Sequence, residues 1–203
     1  GYVLGAGDDI PIALRRMGYE LRVLEGKDLT PEGLAGLDAL VFGIRAFNVL
    51  DDLEARMDAV FEFVQQGGNV IVQYNNPRGL TVSRLAPFDL SLSELRITVE
   101  DSPLTVLAPD HPVMNRPNQI VTEDFDGWVQ ERGLYFPNRW GAEFTAVLAG
   151  ADPGEQPLEG GLLVARYGEG YYVYTPLAWF RQLPAGVPGA YRLFANILAL
   201  GRE

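Results

Sequence analysis

The sequence contains no cysteine among its 203 residues. This absence excludes disulfides, thiolate nucleophiles, iron–sulfur clusters and cysteine-ligated zinc sites together. It also leaves the redox compartment, and with it the localisation, undetermined. Thiol chemistry is therefore excluded for this chain.

Long apolar runs and clusters of positive charge are also missing. No apolar run approaches the roughly 20 residues that a membrane-spanning helix requires, and the first residues lack the pattern of a signal peptide. The 27 acidic residues outnumber the 16 basic ones, and the net charge of −11 repels a phosphate backbone. We therefore expect neither a membrane span nor a nucleic-acid partner. Because the sequence starts without methionine, inside an apparent strand, we expect it to be part of a longer protein.

The first ~75 residues alternate short apolar runs with helical patterns, as doubly wound folds do. The pattern predicts strands at residues 2–4, 20–24, 39–43 and 69–73 and helices at 10–17 and 50–66. Continuous apolar runs are typical of strands buried on both faces. The sequence therefore predicts a flavodoxin-like, doubly wound α/β fold whose mostly parallel sheet has helices on both faces.

The second half of the chain has a different character. Residues 78–139 are rich in proline, aspartate and isolated aromatics, which predicts an irregular, β-rich insertion of loops and short strands. Residues 161–174 flank Gly168-Glu169-Gly170 as a hairpin would, residues 179–189 read as a loop, and 190–200 as a final helix. Without internal repeats or linkers, residues 1–203 are expected to form a single domain.

Polar side chains follow the first, third and fourth predicted strands. Since ligands of open parallel sheets bind beyond the carboxyl ends of the strands, these side chains are candidates for one ligand-binding rim. They are Asp8, Asp9, Arg45, Asn48, Gln73 and Asn75. The alternative is that Asp8 and Asp9 cap the first helix and Arg45 pairs with them.

A nucleotide cofactor has weak support at this rim. Gly5-Ala6-Gly7 resembles the start of a dinucleotide fingerprint, but the third glycine is absent and two aspartates lie where pyrophosphate would bind. The structural alternative is a tight strand-to-helix turn. We therefore expect no cofactor.

His111, the only histidine, is a further candidate. It could be a base, a metal ligand with Asp110, Asp124 or Asp126, or a hydrogen-bonded turn residue. One histidine does not make a histidine-rich zinc site, so no metal site is predicted.

Two further segments interleave polar and aromatic residues. The first contains Asp124, Asp126, Trp128 and Glu131, a pattern of sites that stack a sugar ring and bind its hydroxyls. Two of these acids could instead serve a glycosidase, or the segment could be an acidic turn before a core tryptophan. In the second segment, Arg181 and Gln182 could reach a ligand or partner, unless Trp179 and Phe180 simply pack in the core. The serines lack a GxSxG motif, so serine hydrolase chemistry has no support.

Several of these segments, taken in order, resemble a known family. Residues 43–48, 67–70, 110–112 and 168–170 resemble ThuA-like and other class I glutamine amidotransferase-like domains, a resemblance that covers nearly the whole chain. Residues 124–133 and 180–190 resemble more specifically the amidotransferase-like domain that lies C-terminal to PIG-L (LmbE-like) sugar N-deacetylases in some bacteria.

The resemblance also implies what this chain does not do. Active members place a cysteine on the turn after a central strand, where this sequence reads Gln73-Tyr74-Asn75, so we expect no glutamine hydrolysis. PIG-L deacetylases bind zinc through His-Pro-Asp-Asp, a motif that Pro109-Asp110-His111-Pro112 does not match.

The resemblance therefore implies a non-catalytic accessory domain that binds carbohydrate or docks to a covalently linked deacetylase domain. Two alternatives remain. One is a hydrolase acting on a sugar through Asp9, Asp124 or Glu131, with or without a divalent cation. The other is a module for homo-oligomerisation.

Overall fold

The computed structural model describes residues 1–202. In this range the strands are β1 (Tyr2–Val3), β2 (Val23–Leu24), β3 (Ala39–Phe42), β4 (Asn69–Val72), β5 (Leu90–Leu92), β6 (Arg96–Ile97), β7 (Leu104–Val106), β8 (Gly133–Leu134), β9 (Pro137–Trp140), β10 (Phe144–Gly150), β11 (Leu158–Tyr167) and β12 (Gly170–Tyr174). The α-helices are α1 (Ile10–Arg16), α2 (Pro31–Leu34), α3 (Ala46–Val49), α4 (Met57–Gln65), α5 (Pro112–Asn115), α6 (Trp179–Ala185) and α7 (Pro188–Leu198). None of these helices is long and apolar enough to cross a membrane.

A mixed, mostly parallel sheet of eight strands forms the centre of the molecule. Its order is β2-β1-β3-β4-β12-β11-β10-β7. The first five strands in this order run parallel, and the remaining three continue the sheet as antiparallel neighbours. Two small sheets, β5-β9 and β6-β8, are built from the irregular stretch. The predicted flavodoxin-like α/β fold with a β-rich insertion is confirmed.

Both faces of the sheet are buried. Neighbouring residues of a strand point to opposite faces, so each strand contributes side chains to two apolar cores. Tyr2, Val41 and Ile71 belong to one apolar core, which α1, α6 and α7 cover. Val3 and Phe42 belong to the other core, which α2 and α4 cover. This two-sided burial explains why the strands read as continuous apolar runs.

The residues predicted to form a loop at 179–189 are instead mostly helical, so that prediction is wrong. Trp179 and Leu183 lie one turn apart on the same face of α6, and both are fully buried. Burial of these two side chains outweighs the poor helix propensity of Pro184, which lies near the end of the helix. The helix ends at Gly186, whose φ of 78° is the usual left-handed C-cap.

Other element boundaries also differ from the predicted ones. The second strand is only Val23–Leu24, and the helix predicted at 50–66 consists of a 3₁₀ turn at Glu54–Arg56 followed by α4. The hairpin of β11 and β12 lies where it was predicted.

A close backbone contact fixes the 3₁₀ turn at Thr122–Phe125 against α7. A Cβ atom on Gly189 would lie 1.9 Å from the Asp124 carbonyl oxygen, so this position tolerates only glycine. The contact anchors the segment that follows, residues 126–133, beside α6 and the carboxyl ends of the strands.

Candidate functional site

The loops that follow β1, β3 and β4 meet at the carboxyl edge of the parallel strands. The amide of Ala6 donates to the Ile44 carbonyl (2.8 Å), and the amide of Arg45 donates to the Tyr74 carbonyl (2.9 Å). Asn75 Oδ1 accepts from the amide of Phe47 (2.9 Å). These bonds lock the three loops together at this edge of the sheet, where the sequence placed them.

Asp8 holds this edge together. Its carboxylate accepts hydrogen bonds from the hydroxyl of buried Tyr2 (2.5 and 2.6 Å) and from the amides of Ile10 (3.0 Å) and Ile44 (3.3 Å). Burial, followed by the charge of Asp8, raises the pKa of Tyr2 far above its ordinary value. Asp8 therefore accepts from the first amide of α1, as one alternative held for this residue. The rest of that alternative is wrong, because Asp9 is exposed and forms no cap bond through its side chain, and Arg45, within the described range, forms no ion pair with either aspartate.

Three predicted rim residues form hydrogen bonds within the protein. Gln73 donates to the Tyr2 hydroxyl and the Phe42 carbonyl (both 3.2 Å), and Asn75 donates to the Gln73 carbonyl (2.9 Å). Asn48 donates to the Asn76 carbonyl (2.9 Å) and accepts from its amide (2.8 Å). The hydrogen bonds of these three side chains hold the loops in place. Gln73 and Asn75 are fully buried, so they do not line a ligand-binding surface as predicted.

An aromatic cluster lies on this edge. It consists of Tyr74, Tyr135 and Phe180, which we call the strand-end aromatic cluster. The ring centroid of Tyr74 lies 5.4 Å from that of Phe180 and 6.0 Å from that of Tyr135. Ile44 and Leu134 pack with these rings, while Tyr135 and Phe180 remain partly exposed. Sequence reasoning missed Tyr74 and Tyr135 because their segments lie 61 residues apart along the chain and meet only in the folded protein.

Three arginines and one carboxylate surround the cluster. The guanidinium carbon of Arg96 lies 4.7 Å from the Tyr135 ring centroid, and that of Arg181 lies 4.7 Å from the Phe180 centroid. Arg96 also donates to the Tyr135 hydroxyl (2.8 Å), and Arg181 Nε donates to Glu131 (2.7 Å). The candidates Glu131 and Arg181 thus belong to the same site as Arg45, although their segments are distant in sequence.

The charges around the cluster act on the Tyr74 hydroxyl. Burial raises the pKa of Tyr74, the positive charges of Arg45 and Arg181 oppose that rise, and Glu131 and Tyr135 add to it. The net direction is upward, so the hydroxyl stays protonated at neutral pH and is available as a hydrogen-bond donor.

Two members of the site have left-handed backbones. Among residues 1–202, the non-glycine residues with positive φ are Arg45 (55°), Gln130 (67°) and Tyr135 (56°). Such conformations cost on the order of 1–3 kcal/mol each and concentrate at functional sites. At Tyr135 the backbone is fixed on both sides, because Leu134 donates to the Pro176 carbonyl and Phe136 to the Leu95 carbonyl (both 3.0 Å). The strain therefore coincides with the aromatic cluster.

The other candidates of residues 124–132 and 181–182 support the structure around the site. Asp124 is paired with Arg192 (2.9 Å), and Trp128 is buried against Trp179 with ring centroids 5.5 Å apart. Gln182 is buried and bonds both the amide (2.8 Å) and the carbonyl (3.0 Å) of Val129. These contacts hold the segment in place and present Glu131 to the cluster.

Asp126 lies elsewhere, beside a cavity of about 600 Å³ that Trp128 and Arg132 also line. Arg132 is only 3 % exposed and donates to the carbonyls of Ser102 (2.8 Å) and Phe125 (2.6 Å). Its guanidinium thus ties together the loops that form the cavity.

His111 lies outside the strand-end site. Its Nδ1 accepts from the amide of Val113 (3.1 Å) and caps α5, which packs against α7. Burial lowers the pKa of His111, which favours the neutral ring that this bond requires. Within residues 1–202, no group of three or more histidine, aspartate or glutamate side chains is placed to hold a metal ion.

The turn after β4, to which the family resemblance assigns the nucleophile of active amidotransferases, has a different shape from a nucleophile turn. None of the residues Gln73, Tyr74 and Asn75 has positive φ, and the next regular element along the chain is a strand, β5. The thiol is therefore missing together with the sharp strand-to-helix turn that would expose it.

Comparisons with known proteins identify the fold. No family model matches the chain, and no curated protein matches it. Among solved structures, a glutamine amidotransferase aligns with 98% of this chain and 98% of its own, at 15% identity and a TM-score of 0.59. A protein from Thermoplasma acidophilum, proposed to be part of a GMP synthase, aligns with 98% of this chain and 91% of its own, at 12% identity and a TM-score of 0.59. A ThuA-like protein from Bacteroides uniformis aligns with 99% of this chain and 91% of its own, at 12% identity and a TM-score of 0.53. The chain has the fold of class I glutamine amidotransferase-like and ThuA-like domains.

Proposed function

We propose that this chain is a non-catalytic accessory domain of a PIG-L-type deacetylase and that it binds carbohydrate at the strand-end aromatic cluster. The observation that carries the proposal is the pair of partly exposed rings of Tyr135 and Phe180, which pack on buried Tyr74 and have polar groups at their border. Aromatic faces with adjacent amide, hydroxyl and guanidinium donors suit a ring that has both apolar faces and hydroxyls.

The position of the cluster agrees with the family resemblance. The two stretches that resemble the domain attached to PIG-L deacetylases, residues 124–133 and 180–190, contribute Glu131, Phe180 and Arg181 to it. The two stretches, which are about 50 residues apart in sequence, thus meet at one site.

The pairing of the carboxylates favours binding over hydrolysis. An acid–base pair must converge on one bond of the substrate. Asp124 is instead paired with Arg192, and Glu131 with Arg181, on different elements. Asp9 is exposed beside α1. These pairings support a domain without catalytic carboxylates.

Calorimetric titration of the purified domain with neutral hexosides and N-acetylated amino sugars tests the binding proposal. Phe180→Leu should weaken carbohydrate binding about three- to tenfold, because it removes an aromatic face at the site. Phe88→Leu is the matched control, since Phe88 packs with Tyr167 (5.5 Å) at the opposite edge of the sheet. Absence of binding to every sugar, charged or neutral, would show that the proposal is wrong.

The link to a deacetylase has its own test. The reading frame that encodes this chain should also encode, upstream, a domain with the His-Pro-Asp-Asp zinc motif. A reading frame without that motif would separate the domain from PIG-L deacetylases and leave its binding function to be judged by titration alone.

A further inference from the structure

We infer that the carbohydrate bound at the strand-end aromatic cluster carries an anionic group, a carboxylate or a phosphate, which the Arg45 guanidinium recognises. This inference rests on the proposed function, because it names the chemical class of the ligand for that same site.

The first support is the position of Arg45. Its side chain is exposed, and it forms no ion pair with another residue of the range 1–202. The nearest candidate partner, Asp8, already accepts bonds from Tyr2, Ile10 and the amide of Ile44. The charge of Arg45 therefore remains available to a ligand.

The backbone of Arg45 is fixed in place. Its φ and ψ are 55° and 22°, its amide donates to the Tyr74 carbonyl, and its own carbonyl accepts from the Asn48 amide (both 2.9 Å). A residue with a long charged side chain gains nothing by itself from a left-handed backbone. The bond to the Tyr74 carbonyl fixes the Arg45 backbone beside the loop that carries the Tyr74 ring.

The second support is the local balance of charge. Arg45, Arg96 and Arg181 surround the cluster. Of the carboxylates beside it, Glu131 engages Arg181, and Asp8 is engaged by the Tyr2 hydroxyl and by backbone amides. Arg96 bonds the Tyr135 hydroxyl and so keeps its charge uncompensated by a carboxylate. This is a positive surface on a chain whose net charge is −11. Guanidinium groups bind carboxylates and phosphates in paired geometry, which neutral sugars do not provide.

The decisive experiment compares matched ligands by calorimetry. Methyl glucuronide and methyl glucoside differ only in the carboxylate at C6, and methyl glucoside 6-phosphate carries a phosphate there instead, with a charge of about −1.5 to −2 at neutral pH. Acetate and inorganic phosphate supply the charge without a ring. We expect at least one charged sugar to bind about tenfold or more tightly than methyl glucoside.

Variants of Arg45 then test whether this residue recognises the anionic group of the sugar. Arg45→Gln should weaken binding of the charged sugar about ten- to a hundredfold and leave methyl glucoside unchanged. Arg45→Lys should retain part of the affinity, because it keeps the charge and loses the planar fork. Arg22→Gln, which removes an exposed arginine bonded to the Gly33 carbonyl at the other end of the sheet, should have no effect.

The outcomes separate the inference from the proposed function. Equal affinity for glucoside and both charged sugars, or an Arg45→Gln variant with wild-type affinity, overturns the inference while carbohydrate binding stands. Acetate or inorganic phosphate binding as tightly as the charged sugars overturns the requirement for a ring. Failure of every sugar to bind overturns the proposed function and the inference together.

Discussion

Single residues at the carboxyl edge divide into those that build the surface and those that face outward from it. The side chains of Asp8 and Asn75 are hydrogen-bonded to neighbouring backbone amides. The Gln73 amide nitrogen donates to the Phe42 carbonyl, whereas its Oε1 is buried without a partner within residues 1–202. Arg45 has a fixed backbone and an unpaired charge. Residue type alone does not distinguish these two groups, because both are polar and both follow strands.

The contrast between Asp8 and Asp9 can be measured. Asp8→Ala should lower the free energy of unfolding by about 1–3 kcal/mol, because it leaves the buried Tyr2 hydroxyl and two amides without their acceptor. Asp9→Ala should change it by less than about 0.5 kcal/mol, since that side chain is exposed. Urea unfolding of both variants checks the difference, and equal losses would contradict the assigned roles.

At the scale of elements, short helices and turns place the functional segments. α6 presents Phe180 and Arg181 outward while it buries Trp179 and Leu183. The close contact of Gly189 with Asp124 fixes the start of the segment that carries Glu131. α5, in contrast, is a single capped turn that joins the irregular stretch to α7.

The cap of α5 makes stability depend on pH in a defined direction. Burial lowers the pKa of folded His111 below its ordinary value of about 6.5, so the unfolded chain binds more protons as the pH falls through that value. The contribution of His111 to stability is therefore fully present above about pH 7 and declines at lower pH, as the unfolded chain becomes protonated.

His111→Asn isolates this effect, because asparagine keeps a side-chain acceptor at the N-cap and does not titrate. Urea unfolding between about pH 5 and pH 8 should show a smaller loss of stability at low pH for the variant than for the wild type. Parallel curves for the two proteins would rule out a contribution from this histidine.

At the scale of the whole molecule, the chain has the amidotransferase-like fold without the cysteine that the family resemblance leads one to expect after β4. The sheet, its two-sided burial and the loops at its carboxyl edge are present. The cysteine is absent, and the turn after β4 lacks a left-handed residue. In their place the edge carries an aromatic and cationic surface.

Glutamine should therefore release no ammonia above the buffer control when it is incubated with this protein. Tyr74→Cys should stay equally inactive, because a thiol on this turn still lacks the sharp strand-to-helix geometry and a paired base. A coupled ammonia assay, with an active class I amidotransferase as positive control, measures both. Ammonia release by either protein would contradict the expectation that this chain does not hydrolyse glutamine.

The sequence by itself determined the fold class and part of the site. The strands β1, β3 and β4 could be predicted because burial on both faces leaves a continuous apolar run in each of them. The helix α4 could be predicted from its helical spacing of apolar residues. The position of Arg45 after a predicted strand also placed it at the carboxyl edge in advance. The predicted loop at residues 179–189 was wrong because the burial that makes α6 a helix comes from distant segments.

Only the tertiary structure decided which polar residues are engaged and which are available. The bonds of Asp8 to Tyr2 and Ile44, the pairing of Asp124 with Arg192, and the meeting of Tyr74 with Tyr135 and Phe180 all depend on how the chain packs. A local pattern records whether a segment is buried, whereas hydrogen-bond partners and ring contacts join segments that no local pattern connects. The fold could therefore be predicted from the sequence, whereas the surface that we propose to bind ligand could not.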